Sequence, residues 1–399
     1  MEINEANRLQ WLLAAATNLY LFFLCSTKWN AGYSISGGIL AVLILWFYLK
    51  KRKKFQCASR LFFTVYGIFM AGVLLASCLT GDKPSIHVAQ KFLSYSVPMW
   101  LLYLILQQVH SIRQASLPGM VIGSWVLLGA SVRELWTSPG KDRLYGSFVS
   151  ANNFAMVLEA ILPFLWMQVW ALRKNKKSPA FLLTLITSIG LTGCLLLSAS
   201  RGGIAGFLLG FVGVVILKGI QKTTWGLKKR VGVLLLTGCL AAGALFAATL
   251  RYQHRSYDSE RLLLLQSAYA MWQDNKLYGV GFQRWNQVYR SGYILPGAKE
   301  PTLSLPHNNI ANFFSGTGVL GGTGYLLFTF GSLGVLLCTL RKHPANEYAR
   351  MMFWVWIAIF VHGIVDNSLY AKFNTRLYFA MWGIFLAASL DSRKERLKK

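Results

Sequence analysis

The chain has 399 residues, 54% of them hydrophobic and only 14% charged, and its mean hydropathy is +0.43. Soluble domains are about 45–50% apolar and about 25% charged, so a soluble globule is excluded, and the apolar residues run in blocks long enough to span a bilayer. Lys and Arg number 41 against 14 Asp and Glu; most sit in short clusters between apolar blocks, as in Lys50 to Lys54, a placement that orients membrane helices and argues against nucleic acid as a partner.

A membrane-crossing helix needs about 20 mostly apolar residues, and such blocks predict about twelve spans. In chain order they are 9–26, 33–49, 61–80, 92–109, 117–132, 151–172, 179–199, 203–220, 231–250, 318–340, 350–367 and 374–390. Glu2 and Glu5 precede the first block, so no cleavable signal peptide is expected. Arg8, the Lys50–Lys54 cluster with Arg60, Arg113, Arg173 to Lys177, Lys218 to Arg230, Arg341 to Arg350 and Arg393 to Lys399 fall on alternate loops. These are expected to be cytoplasmic, with both termini inside. The six cysteines stand singly, without metal-type spacing, and read as buried free thiols.

The long connection after the ninth block lies on the opposite side and predicts three regions: membrane helices over 1–250, a periplasmic cap loop over 251–307, and helices ten to twelve with a basic cytoplasmic tail over 308–399. Within the cap, Leu262, Leu265, Ala268, Tyr269 and Trp272 recur at helical spacing, so Ser259 to Asp274 is an expected amphipathic helix with Asp258 or Ser259 as N-cap. Glycines in Leu277 to Phe282 then permit a tight turn.

Ionisable groups at membrane depth mark function by default. Arg201 lies in Ser198-Ala199-Ser200-Arg201-Gly202-Gly203, a short hinge between two spans, where its planar fork of donors suits phosphate oxygens; the alternative is a snorkelling arginine at a helix end. Arg261, near the start of the cap helix, adds a charge where a helix N-terminus already favours anions; the alternative is a solvated charge on an exposed helical face. Arg251, Arg255, Arg284 and Arg290 form a broader basic rim, in which Arg284 is a further candidate for phosphate.

His307 opens Pro306-His307-Asn308-Asn309 where the cap returns to the membrane; a lone histidine is more often structural, but its position at the same mouth suits it for proton transfer. His362 and Asp366, at i and i+4, share a helical face. Asp366 is expected to orient a basic partner, either an arginine or His307, unless it is only an interhelical clamp. Glu159, Asn152 and Asn153 are further buried polar groups, as readily explained by helix packing as by substrate. No phosphate-binding glycine loop, serine-hydrolase elbow or acidic metal cluster appears, so neither a metal nor a cofactor is expected.

The ordered set of the Ser-x-Ser-Arg-Gly hinge, Arg261 followed by Ala268 to Asn275, Gly279-Val280-Gly281-Phe282, Pro306 to Asn309 and Gly316-Thr317-Gly318-Val319-Leu320-Gly321 resembles the O-antigen ligase and polymerase superfamily. The likeness covers about residues 195 to 370, with Asp366 at an acidic position near its end. It implies an all-α integral membrane protein of about twelve helices with a helical periplasmic cap, related to the metal-independent C-type glycosyltransferases. It further implies a bacterial inner-membrane enzyme with a periplasmic active site and no cofactor, taking a glycan from undecaprenyl diphosphate.

A ligase passes that glycan to a hydroxyl of the lipid A core; a polymerase passes it to a second undecaprenyl-linked repeat. On this resemblance Arg201 and Arg261 engage the diphosphate and His307 is the essential histidine; Arg284, from its place in the basic rim, is a lesser candidate for the diphosphate, and Asp366 and Asn308 are the expected support. The ligase is the favoured expectation and the polymerase its alternative. A lipid-linked glycan transporter is less favoured, because it should show two similar halves with polar groups at the midplane.

Overall fold

The structure, a computed structural model, describes residues 2–27, 29–109, 111–112, 117–221, 226, 257–298 and 305–397. Every regular element among the described residues is helical. The first half contains α1 (Glu2–Ser26), α2 (Asn30–Lys50), α3 (Arg60–Leu79), α4 (Lys83–Ser94), α5 (Val97–Leu106), α6 (Pro118–Thr137), α7 (Ala151–Leu172), α8 (Pro179–Leu197) and α9 (Arg201–Gln221). After the cap elements α10 (Tyr257–Asp274) and α11 (Trp285–Val288) come α12 (Asn309–Lys342), α13 (Glu347–Val365) and α14 (Lys372–Leu397).

The helices start where a short polar side chain can take up an orphan backbone N–H. Ser59 accepts from Phe62, Ser150 from Asn153, Ser178 from Phe181, Asn308 from Ala311 and Asn346 from Ala349. Their facing sides then close a core in which α12 packs on α3, α9 on α13, α14 on α5 and α1 on α6. Buried rings of Phe62, Phe69, Phe92, Phe282, Phe313 and Phe328 fill its centre. Outward faces are apolar as well: Ile39, Val42, Leu49, Ile186, Ile189, Leu327 and Phe330 are all exposed. Water would not tolerate so extensive an apolar exterior, and lipid would.

Eight described helices are long and apolar enough to cross a membrane, and they coincide with predicted spans one, two, three, six, seven, eight, ten and eleven. Span four is broken instead: α4 stops at Ser94, Pro98 sits in the first turn of α5, and α5 is only ten residues long. Span five is α6, which carries Arg133 and Glu134, and span twelve lies within α14, which opens on Lys372, Asn374, Thr375 and Arg376; both are less apolar than the other eight. Span nine, 231–250, lies outside the described residues. Of the cysteines, Cys25 and Cys194 are buried as expected, but Cys57, Cys78 and Cys338 are exposed. Cys239 lies outside the described residues.

Two small-residue contacts position the mouth. On α9, Gly202, Gly206 and Gly210 lie one turn apart against α13, and a Cβ at Gly206 would fall 2.5 Å from the Ala358 carbonyl oxygen. The two backbones can therefore touch, as in small-residue membrane interfaces. On α12 the helix breaks at Gly318 (φ 59°, ψ −156°). The freed carbonyls of Ser315 and Gly316 accept the N–H groups of Val280 and Gly281, while Val319 and Leu320 donate to the carbonyls of Lys276 and Leu277. A Cβ at Gly279 would fall 2.5 Å from the Gly316 carbonyl carbon and one at Gly318 2.4 Å from that of Leu277. The glycines between 277 and 282 thus serve to dock the cap backbone edge-on against the broken helix, and the turn is its by-product.

The cap helix corrects two expectations. It is already helical at Tyr257, the first described residue of this segment, so Asp258 and Ser259 lie inside it. Its buried face is Glu260, Leu264, Ser267, Ala268 and Met271, whereas Leu262 and Tyr269 are exposed. The face is chosen by Trp285 and Tyr289, which stack on each other and form a small core with Leu264 and Met271.

Candidate active site

The α8–α9 turn delivers the first arginine. Ala199 adopts a left-handed conformation (φ 52°), and α9 then starts at Arg201, with Ser200 Oγ accepting the Gly203 N–H at 3.3 Å. Arg143, in the loop after α6, braces the same turn through Nε to the Ser198 carbonyl at 2.9 Å. Arg201 and Arg261 both line a cavity of about 1070 Å³ formed by this turn, the start of α10, the end of α13 and the 138–148 loop.

His307 lines the same cavity. It too is left-handed (φ 49°), an uncommon conformation for a non-glycine residue that costs energy and clusters at functional sites. The next residue holds it there, because Asn308 caps α12 through Oδ1 and donates Nδ2 to the Ile364 carbonyl at 2.8 Å. His307 Nδ1 lies 2.9 Å from Asp366 Oδ1. With a carboxylate at Nδ1 that nitrogen carries the proton, which leaves Nε2 of the neutral ring as the basic one.

Asp366 itself is fixed from every side. It caps the end of α13, takes the Asn367 N–H on Oδ1 and accepts Asn152 Nδ2 on Oδ2, while Asn152 Oδ1 accepts from Arg143. Burial pushes its carboxyl up, but the hydrogen bond and charge of His307, with help from His362 and Asn367, more than offset that and hold it below the ordinary carboxylate range. Among the described residues, five basic side chains (Arg133, Lys141, Arg143, Arg201, Arg261) and four acidic ones (Glu134, Asp142, Glu260, Asp366) line the cavity. With so nearly balanced a wall, recognition of an anion rests on individual arginines.

The structure therefore brings together Arg201, Arg261, His307 and Asp366, with Asn308 as a tether. It does not bring in Arg284, whose Nε pairs with Asp82 Oδ2 at 2.8 Å on the flank of the cap. There the Phe282 N–H also donates to Ser85 Oγ at 2.8 Å, so Arg284 helps fasten the cap to α4. Arg290 is exposed in the π turn Tyr289–Tyr293 and does not line the cavity. Arg251 and Arg255 lie outside the described residues. The residue that sequence reasoning missed is Arg143, an ordinary loop arginine until folding sets it beside Asn152. It also left open the partner of Glu159, which is His362: Nδ1 lies 2.7 Å from Oε2, with both side chains buried.

Described residues that form helices alone, with an apolar exterior and at one end a polar cavity lined by arginines and a histidine–aspartate pair, define a membrane protein whose cavity has the groups to meet an anion and to accept a proton. Residues 183–326 match the family described as O-antigen ligase, which bears out over that segment the resemblance to the O-antigen ligase and polymerase superfamily. The matched segment contains Arg201, Arg261, Arg284, His307 and Asn308 and ends before Asp366. No curated protein matches the chain.

Proposed function

We propose that the protein is an O-antigen ligase of the bacterial inner membrane, which transfers a glycan from undecaprenyl diphosphate to a hydroxyl of the lipid A core at a cavity facing the periplasm. The observation that carries this reading is the His307–Asp366 pair on a wall shared with Arg201 and Arg261. His307 Nε2 takes the proton of the acceptor hydroxyl as its oxygen attacks the anomeric carbon. The bond from that carbon to the diphosphate oxygen breaks, and its electron pair leaves with the diphosphate. Arg201 and Arg261 stabilise the charge that develops there. Attack opposite the leaving group inverts the anomeric centre. The positive charge gained by the imidazole is met by Asp366, and the cavity is at the upper end of ordinary ligand-site volumes, with room for the diphosphate and the sugars it joins.

The test is transfer by purified protein in EDTA, with undecaprenyl diphosphate-linked glycan as donor and either lipid A core or a second lipid-linked repeat as acceptor. Transfer to lipid A core that disappears in His307→Ala is the expected result. Chain lengthening on the second repeat would make the protein a polymerase using the same residues, and no transfer to either acceptor would favour a transporter.

A further inference from the structure

Beneath Arg201 a hydroxyl, an imidazole and a carboxylate stand in line. Glu159 on α7 is 0% exposed and His362 on α13 is 1% exposed. His362 Nδ1 lies 2.7 Å from Glu159 Oε2, and Nε2 lies 3.4 Å from Ser200 Oγ. Ser200 immediately precedes α9: its Oγ accepts the Gly203 N–H, and its carbonyl accepts the Ile204 N–H at 2.9 Å. Gly202 lies against the same ring, where a Cβ would fall 2.7 Å from His362 Cδ2. The first turn of α9, with Arg201 as its first residue, is therefore seated on His362 both by a hydrogen bond and by steric contact.

A buried carboxylate is an expensive way to join two helices. Serine or asparagine pairs serve that purpose elsewhere in this chain, as Asn309 does with Ser368 at 2.7 Å. What the carboxylate adds is direction. Glu159 engages Nδ1, which turns Nε2 toward the Ser200 hydroxyl, whose oxygen also takes the Gly203 N–H.

We infer that Glu159, His362 and Ser200 are positioning residues for Arg201, a buried chain that sets the first turn of α9 and hence the point at which the guanidinium meets the diphosphate. This rests on the reading of Arg201 as a donor-binding residue. The order hydroxyl, imidazole, carboxylate is also that of an activated serine nucleophile. Ser200, however, is 2% exposed and its oxygen already caps Gly203.

Two single substitutions separate positioning from clamping. Asparagine at 362 places an amide group near Nδ1 and keeps the link to Glu159; glutamine places one near Nε2 and keeps the link to Ser200. Binding of inorganic pyrophosphate, the KM for lipid-linked donor, and the thermal midpoint would be measured for wild type, Arg201→Ala, Ser200→Ala, His362→Asn and His362→Gln. Wild type should bind pyrophosphate and Arg201→Ala should not.

His362→Asn and Ser200→Ala should weaken pyrophosphate binding about tenfold, the loss of one hydrogen bond, and raise the donor KM in step. His362→Gln should recover most of that affinity even where its midpoint is lower. The reverse pattern, with asparagine tolerated and glutamine not, assigns the pair to helix clamping and overturns the inference. So does labelling of Ser200 by a fluorophosphonate, which would make it a nucleophile. Ser200→Ala keeps the test open should the His362 variants fail to fold. Wild type that neither binds pyrophosphate nor transfers glycan refutes the functional reading and this inference together; wild-type binding that is unchanged in Ser200→Ala and His362→Asn refutes this inference alone.

Discussion

Replacing Asp366 by asparagine changes one oxygen to an NH2 group and leaves no satisfactory arrangement of the hydrogen bonds around it. If the amide oxygen stays where Oδ1 accepts from His307 Nδ1 and the Asn367 N–H, the new NH2 faces Asn152 Nδ2. Turning Asn152 over then sets its NH2 against Arg143. If the amide nitrogen faces His307 instead, it opposes the Asn367 N–H and moves the imidazole proton to Nε2, where it disables the base. A buried hydrogen bond to a charged group is worth about 1.5–3 kcal/mol, and each 1.36 kcal/mol on the barrier is tenfold in rate. Asp366→Asn should therefore lower kcat for glycan transfer about ten- to 150-fold, and near neutral pH its thermal midpoint should also fall, because the carboxylate's stabilising bonds are lost. The double variant Asn152→Asp with Asp366→Asn restores every donor–acceptor pair: the carboxylate introduced at position 152 accepts from Arg143 and from the amide introduced at position 366, whose oxygen again faces His307. It should transfer about tenfold faster than Asp366→Asn alone, while Asn152→Asp alone, with two facing carboxylates, should be impaired. Transfer assays on the four proteins decide the matter; wild-type kcat in Asp366→Asn, or a double variant slower than that single one, would refute the network.

Arg201→Lys keeps the charge but loses the fork, so the donor KM should rise about tenfold or more; an unchanged KM would show that a point charge suffices. Gly318→Ala places a Cβ 2.4 Å from the Leu277 carbonyl carbon at φ 59°. The cap should detach from α12, with a cost of about 1–3 kcal/mol from the strained backbone alone and a lower thermal midpoint in detergent. Because the Asp366 carboxyl is held below the ordinary carboxylate range, the stability it supplies is complete above that range and is lost as pH falls toward the depressed folded value. Wild type should therefore lose more in thermal midpoint than Asp366→Asn between pH 6 and pH 3, and equal losses would contradict the assignment.

Much of the architecture was legible because lipid makes unusually plain demands. Uninterrupted apolar blocks predicted eight of the helices that can cross a membrane, and polar residues at their ends pointed to Arg201, His307 and Asp366. The rest needed partners that are remote in the chain. Pro98 could be read, but not that it would break span four into two short helices. The buried face of α10 depends on Trp285 and Tyr289, which no helical period within α10 could reveal. Arg284 matched a basic rim by sequence position, yet Asp82, some two hundred residues earlier, claims it. The glycines at 202, 206 and 210 are plain in the sequence, but only their contacts with Ala358 and Trp354 show what they accommodate.

The last turn of α13 ties the site to the rest of the bundle. His362 reaches Glu159 on α7 and Ser200 before α9, Asp366 reaches Asn152 on α7 and His307 before α12, and the Ile364 carbonyl takes the Asn308 amide. Dispersion between apolar helices in lipid is non-directional and would allow them to slide or rotate against one another by a fraction of a turn. Hydrogen bonds from one helix end to three others do not allow it, since each fixes a distance and an angle. The proposed general base and one arginine are thus referred to a common frame, while the cap brings in the second arginine by backbone bonds between 276–281 and 315–320 that need no particular side chain. The proposed chemistry, in which a proton leaves one group as charge grows on another several ångströms away, requires that kind of shared reference, and it would account for the ionisable side chains Glu159, His362 and Asp366 buried at this end of the bundle.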